Sequence, residues 1–322
     1  MDSKHRLEAV DQYRGLAIVL MVLANYLAGV DIVPAWLRHA PDIGLTVIDL
    51  IAPFFIFAIG LTYGISFRRR LGRDGACKTI SHFLARFLAL IGIGALLSAG
   101  EFYFGISTSP VQWGVLQAIG VAGLLAMPLL ILPQGWRWAI GFGLLGGYQL
   151  ALDHFWKAAV LASPHGGLPG ALSWSTMLIL ATALADLYFE DKKGSQKTFL
   201  LAVGAVLIFG IILAIWAPVS KNRVSASYVL LSLGASGLLF SGFDLLVERL
   251  GVRLPGLSAW GRNPLLLYLC HDGLLGVFVL PGLPFWYAQA PAWLVVLQSL
   301  GLLAVLTAVA WVLDRKRLYF SL

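Results

Sequence analysis

The 322-residue sequence has two cysteines, and only 12% of its residues are charged. Cys77 falls in a basic stretch and Cys270 in an apolar one, so no disulfide framework is expected and both are read as free thiols. An HExxH run and a clustered Cys/His ligand set are both missing, so no metal is expected. Neither a linker-like segment nor an internal repeat is visible. That favours one domain over residues 1–322 and weakens any analogy with inverted-repeat transporters. A cleavable signal peptide is also absent from the expectation. The first apolar run is too long for one, lacks a small-residue cleavage site and carries Arg14 and Asn25.

Apolar length is what the chain has in quantity. Hydrophobic residues make up 59% of it and the mean hydropathy is +0.84. No soluble domain buries so much apolar surface, and the expected fold is an all-α polytopic membrane protein. Ten transmembrane helices are expected, near 14–30, 45–67, 82–100, 112–132, 136–152, 172–189, 198–217, 226–247, 259–280 and 292–313.

The net charge of +7 is unevenly spread. Lys4, Arg6, Arg68–Arg70, Arg73, Lys78, Arg137, Lys192, Lys193, Lys197, Arg249, Arg253 and Arg315–Arg317 all fall on one side of such a topology. The other side keeps Arg38, Lys157, Lys221 and Arg223. The positive-inside rule then puts both termini in the cytoplasm and His39 outside, in a multi-pass protein of a bacterial inner membrane. Charge distributed this way is a topological address, so nucleic acid is not an expected partner and the lipid bilayer is. Trp136, Trp138, Tyr188, Phe189, Trp286 and Tyr287 stand at span ends, as interfacial anchors do. In GFGLLGG, Gly143 and Gly147 form a small-xxx-small spacing that suits close helix packing.

Polar residues inside the spans are costly and need a reason. Asp11 and Arg14, three apart, share a helix face and can pair. Asn25 lies near the outer end of the first span, and Asp49 just inside the second. Thr46 with Asp49 also reads as a helix start. On one expected span, Asn263 and His271 are two helical turns apart and share a face. Gln117 falls in the outer third of the fourth span. By depth, these residues form a polar file from the cytoplasmic mouth to the outer loop.

Several segments carry a family resemblance: VDQYRGLAIVLMVLANY, HAPDIGLTVIDL, APFFIFAIG, GVLQAIGV, PVSKNRVSASYV and GRNPLLLYLCHD. In this order they resemble the heparan-α-glucosaminide N-acetyltransferase family of transmembrane acyltransferases. The stretch between Asn25 and His39 is a few residues longer than in the animal enzyme. The resemblance implies transfer of an acetyl group from cytosolic acetyl-CoA to an amino sugar or glycan on the far side of the membrane, through a histidine at the position of His39. Acetyl-CoA is then a co-substrate. Its binding is expected to involve Arg14, Asp11, Gln117, Lys221, Asn222, Asn263 and His271.

The chemistry fits these residue types. An imidazole accepts the amine proton near neutral pH, and such general-base help contributes about 10²–10⁴-fold. The Asn25 amide can face a developing oxyanion. A carboxylate such as Asp49 fixes the imidazole tautomer. Two other functions fit a polar file in ten spans: an amino-sugar transporter, and an O-acyltransferase of a cell-envelope glycan. The KN and GRNP segments argue against the second. A homodimer is compatible with the sequence but not specified by it.

Overall fold

A computed structural model describes residues 3–189, 194–248 and 250–319, without the side chains of 3–7 and 248. Lys192, Lys193 and Arg249, counted in the charge asymmetry, lie outside the described residues, as do the side chains of Lys4 and Arg6. The described residues are helical, with no strand among them. In chain order the helices are α1 (Ser3–Leu27), α2 (Ile51–Asp74), α3 (Ala76–Tyr103), α4 (Val115–Ala126), α5 (Gln134–Ala151), α6 (Lys157–Leu161), α7 (Gly167–Phe189), α8 (Ser195–Leu213), α9 (Ala226–Glu248), α10 (Pro255–Arg262), α11 (Pro264–Val279) and α12 (Ala292–Arg315). Cys77 and Cys270 form no disulfide.

Helix covers most of each of the ten stretches expected to span, but among the described residues six helices pass on length and apolar composition. These are Ile48–Asp74, Ala76–Tyr103, Pro164–Phe189, Ser195–Leu213, Ala226–Val247 and Ala292–Arg315. In α1 the polar residues Asp11, Gln12, Arg14 and Asn25 lower the hydropathy, while Val115–Ile131 and Pro264–Val279 are apolar but shorter. The apolar flanks of α8 and α12 are exposed, for instance Leu201, Ile208 and Ile211, or Leu297 and Leu300. Faces of this kind are solvated by lipid; in water they would drive aggregation.

The chain divides into two compact units. The terminal unit holds residues up to His39, Thr46–Phe55, and Leu239 onward; the central unit holds Ala40–Leu45 and Ile56–Leu238.

In the terminal unit α1 lies hard against α10. A Cβ at Gly15 would stand 2.0 Å from the Leu257 carbonyl oxygen, and one at Gly261 would stand 1.9 Å from that of Asp11. The backbones touch there, and only glycine allows it. Tyr13 is fully buried, edge-on to Phe54, Phe240 and Phe243.

A single span over 259–280 is not what forms. Asn263 sits at φ −128°, ψ 49°, between α10 and α11. Pro264 explains the break, since it lacks an N–H and disfavours helical geometry in the preceding residue. Asn263 and His271 therefore do not share one helical face.

In the central unit α7 is the core. Every residue from Ser173 to Ala185 is buried, as expected for a helix apolar all round. It packs on α4, α5 and α8. Buried Arg137 of α5 reaches the Thr182 hydroxyl at 3.0 Å and the Asp186 carboxylate, which also accepts from Arg68 of α2. The expected packing glycines of α5 are the wrong ones: Gly143 and Gly147 have no heavy atom within 4 Å of a built Cβ, whereas Gly141 meets Leu180 at 2.7 Å. The 3.6-residue period turns Gly141, Leu145 and Tyr148 inward, and Gly143 and Gly147 outward. Among the expected anchors Trp136 is exposed, but Tyr188 is buried on Phe199 and the Tyr287 hydroxyl donates to the Tyr26 carbonyl at 2.9 Å.

Substituting Gly261→Ala is expected to destabilise the protein by about 1–3 kcal/mol, the usual cost of overpacking. Gly143→Ala should leave stability unchanged or raise it by up to about 1 kcal/mol, the helix-propensity gain. Thermal unfolding of the two variants in detergent checks this. Equal losses would show that the α1–α10 contact has no special tightness.

Candidate active site

Two hydrogen-bonded pairs in the terminal unit bring together four of the residues singled out from the sequence. The first is His39 with Asp49: Nδ1 lies 2.7 Å from Oδ1. The other carboxylate oxygen, Oδ2, accepts from the Thr46 amide and the Thr46 hydroxyl, each at 2.9 Å. The two oxygens of Asp49 are thus divided between the His39 ring and Thr46, which precedes the helical segment leading into α2. The Asp49 side chain is 0% exposed while that of His39 is 47% exposed. A carboxylate accepts, so the ring proton of neutral His39 belongs on Nδ1, and Nε2 is the nitrogen that can take another.

The second pair is Asn25 with His271. Asn25 Nδ2 lies 3.0 Å from His271 Nε2, and His271 Nδ1 meets the Tyr268 carbonyl. A carbonyl oxygen only accepts, so Nδ1 carries the hydrogen and Nε2 receives one from the Asn25 amide. His271 is buried and Asn25 half-buried. The second amide hydrogen and the carbonyl of Asn25 are not used in this bond.

One small apolar cluster draws on the neighbours of all four residues. Met21, Ile48 and Ile51 form its buried centre, with Ala24, Leu37, Phe55 and Tyr268 packed on it. Sequence neighbours of Asn25, His39, Asp49 and His271 thus share one packing centre.

The loop leading to His39 is held by its own neighbour. Arg38 Nε donates to the Val33 carbonyl at 2.9 Å, and one terminal nitrogen reaches the carbonyls of Val30 at 3.3 Å and Asp31 at 2.5 Å. This guanidinium cross-links the loop between α1 and His39. In the sequence it counts only as an outer charge; the structure gives it three acceptors.

Asp11 and Arg14 pair at 3.6 Å, and Arg262 approaches the same carboxylate at 3.7 Å while also pairing with Asp314. Arg14 further donates to the Gly261 carbonyl at 3.3 Å. This ionic cluster lies about 16 Å along α1 from Asn25, at 1.5 Å per residue. Asn263 and Gln117 are engaged by backbone. Asn263 Nδ2 donates to the Leu318 carbonyl at 3.1 Å. Gln117, in the central unit, accepts from the Gly114 amide and donates to the Gln112 carbonyl, both at 3.0 Å, and so caps α4.

Lys221 and Asn222 also lie in the central unit, in a loop that clamps residues 40–45. Asn222 Nδ2 donates to the Pro41 carbonyl at 2.6 Å, and the Gly44 amide to that of Val219 at 2.8 Å. Arg223 and the Ser220 hydroxyl both bind the Asp42 carboxylate. Val224 is held at φ 47°, a strained value for a β-branched residue. The hydrogen bonds from Tyr148 Oη to the Arg223 carbonyl and from Ser173 Oγ to that of Val224, both 2.7 Å, over-determine it. The sequence reading missed Asp42 and Ser220 as members of this clamp. The signal was the scarcity of outer cations, which made Arg223 in need of an explanation.

The Arg223 hydrogen bond holds the Asp42 carboxyl below its ordinary value. Ser220 and the charges of Arg223 and Lys157 add to this, and partial burial opposes it. A depressed carboxylate stabilises above its unfolded value, about 3.9, and that contribution is lost as pH falls through the folded value. The clamp should therefore weaken as pH falls below about 4 and open once pH passes the lower, folded value, and Asp42→Asn should open it at neutral pH. Hydrogen exchange at the Gly44 amide, corrected for intrinsic rate, is the measurement. Unchanged protection in Asp42→Asn would mean that backbone bonds alone hold the loop.

A family model described as "Heparan-alpha-glucosaminide N-acetyltransferase, catalytic" matches residues 6–166. Similar curated proteins include the heparan-alpha-glucosaminide N-acetyltransferase of Mus musculus, 36% identical over 127 residues, covering 37% of this chain and 18% of that protein. The Homo sapiens protein of the same name is 33% identical over 135 residues, covering 39% of this chain and 19% of its own length. The chain thus spans less than a fifth of the length of these relatives. Asn25, His39 and Asp49 fall within the matched region and His271 outside it.

Proposed function

Because this chain belongs to the heparan-α-glucosaminide N-acetyltransferase family, we propose that it is a transmembrane acetyltransferase whose single membrane domain moves an acetyl group from cytosolic acetyl-CoA to an amino sugar or glycan outside. The observation that carries the reading is the His39–Asp49 bond at 2.7 Å, beside a half-exposed ring. Asp49 keeps the proton on Nδ1 and stabilises the imidazolium, so His39 Nε2 acts as general base. The acceptor nitrogen attacks the thioester carbonyl and gives its proton to Nε2. The unused amide hydrogen of Asn25 stabilises the oxyanion, and the C–S bond then breaks, releasing coenzyme A. His271 orients Asn25 from behind, a positioning role. Arg14 and its ionic cluster suit the phosphates of coenzyme A, and the 16 Å of α1 between Arg14 and Asn25, about eleven helical residues, suits its extended arm. The backbone engagement of Gln117 and Asn263 favours structural roles for both.

The same reading has ten spans with both termini in the cytoplasm of an inner membrane, α10 and α11 crossing together as one broken span. It rests on the asymmetry of lysine and arginine. With Cys77 and Cys270 removed, a cysteine at position 40 should react with an impermeant thiol reagent from outside. Labelling from the cytoplasm alone would overturn the topology.

His39→Ala is expected to bind acetyl-CoA normally and transfer acetyl at least about a hundredfold more slowly to a panel of amino sugars. Asp49→Asn should lose activity through the wrong tautomer, with acetyl-CoA affinity kept. A stable acetyl group on His39, formed from labelled acetyl-CoA before any acceptor is added, would replace the base role with a nucleophilic one. Transport of an amino sugar without acetyl-CoA turnover would replace the enzyme with a transporter.

A further inference from the structure

Midway along α11, in the terminal unit, stands a carboxylate without a partner. Asp272 is half-buried and follows His271 in the chain. Among the described residues it has no hydrogen bond and no ion pair, and the titratable group that acts on it is His271. Both ring nitrogens of that histidine are already engaged, by Asn25 and by the Tyr268 carbonyl. Asp11, Asp49 and Asp314 of the same unit are all paired. Carboxylates within membrane helices pair with other groups or line a substrate path. Asp272 does not pair.

The helical period fixes which way it faces. Gly273, Val277 and Leu280 form the exposed side of α11, and Leu267 and His271 are its buried residues. Asp272 lies on a flank between them, four residues after Tyr268 and three before Leu275. Both of those neighbours pack inward: Tyr268 on Met21, Ile48 and Ile51, and Leu275 on the buried cluster that includes Tyr26 and Leu294. The flank of Tyr268 and Asp272 is therefore turned toward the packing centre shared by the sequence neighbours of Asn25, His39 and Asp49. Along the helix Asp272 stands one residue, about 1.5 Å of rise, beyond the histidine that bonds Asn25. The glycines beside it leave room. A Cβ built at Gly273 meets nothing within 4 Å, and one at Gly276 meets only the side chain of Leu280, at 3.3 Å.

We propose that Asp272 is the subsite that takes the ammonium group of the acceptor. The inference rests on the acetyl-transfer reading for what arrives there, an amino sugar, and on the geometry of α11 for where it docks. A carboxylate only accepts, so its ligand must bring donors, and an ammonium brings three of them with the opposite charge. The phosphates of coenzyme A carry the same sign as Asp272 and are repelled by it. A divalent metal needs several ligands, and no group of three metal-ligating side chains exists among the described residues. Neutral sugars lack the charge. Asp272 thus selects an amine over an alcohol ahead of the chemistry at His39.

The test titrates glucosamine, and glucose as its neutral counterpart, into the purified full chain in a calorimeter, at a pH that keeps the amine protonated. Wild type should bind glucosamine at least about tenfold more tightly than glucose, the effect of one charge-assisted hydrogen bond. Asp272→Asn should lose this preference and Asp272→Glu should keep it, with acetyl-CoA bound as in wild type by both. In acetyl transfer, Asp272→Asn should show a raised KM for glucosamine. Equal affinity of wild type for the two sugars overturns the proposal, and so does an Asp272→Asn protein that keeps the preference. Should Asp272→Asn be too unstable to purify, Asp272→Ser takes its place with the same expectation; instability of both would make the carboxylate structural and reject the subsite. A preference that Asp272→Asn abolishes, in a wild type that transfers no acetyl group, would leave the subsite standing and overturn the acetyl-transfer reading instead.

Discussion

A carboxylate with no exposure to solvent is the constraint on which the rest of the terminal unit depends. Asp49 is fully buried, and a buried charge is tolerable only when its lone pairs are filled. Thr46 fills one side through its amide and hydroxyl, and His39 fills the other. The first partnership fixes where the helical segment leading into α2 begins. The second fixes the orientation of a ring that is otherwise half in solvent. Removing the carboxylate would loosen both at once, so the start of that segment and the orientation of the ring share one group.

The other polar residues of the membrane-embedded helices follow the same rule by different means. His271 has both ring nitrogens occupied, by Asn25 and by a backbone carbonyl. Gln117 spends its amide on the start of α4 and Asn263 on the backbone at Leu318. Tyr26 donates to Gln298 at 2.5 Å, and Gln298 to the Trp286 carbonyl at 2.9 Å. Each bond removes a cost of about 1–3 kcal/mol that an unmatched buried group would carry. Gln12 of α1 and Ser232 of α9 are exceptions: their fully buried side-chain polar atoms have no hydrogen-bond partner among the described residues.

Cations on the expected outer side are few, and two of them have evident structural work. Arg38 gathers three backbone carbonyls of the loop before His39, and Arg223 with Ser220 secures Asp42 in the segment after it. Both sides of the histidine along the chain are therefore tied by guanidinium groups. On the expected inner side the described cations are more numerous and, apart from buried Arg137 and half-buried Arg14, Arg70 and Arg86, mostly exposed. The asymmetry is one of use as well as of number.

Much of this was readable before any coordinates. Hydropathy determined the helical membrane fold, because apolar runs of bilayer length have no other stable use. The three-residue spacing of Asp11 and Arg14 determined that they could pair, because a helix sets neighbours three and four apart on one face. The HAPDIGLTVID segment named both His39 and Asp49. What tertiary structure alone decided was the partner of each polar group across the chain. Asn25 and His271 are 246 positions apart, and no local period relates them. The same holds for Arg223 on Asp42 and for Gly261 against α1. Sequence placed Gly143 and Gly147 in a packing seam, and the rotation of α5 turned them outward; it drew one span through Asn263, and Pro264 broke it. Spacing along a chain specifies the face a residue occupies, while the element it meets there is set by how the helices pack.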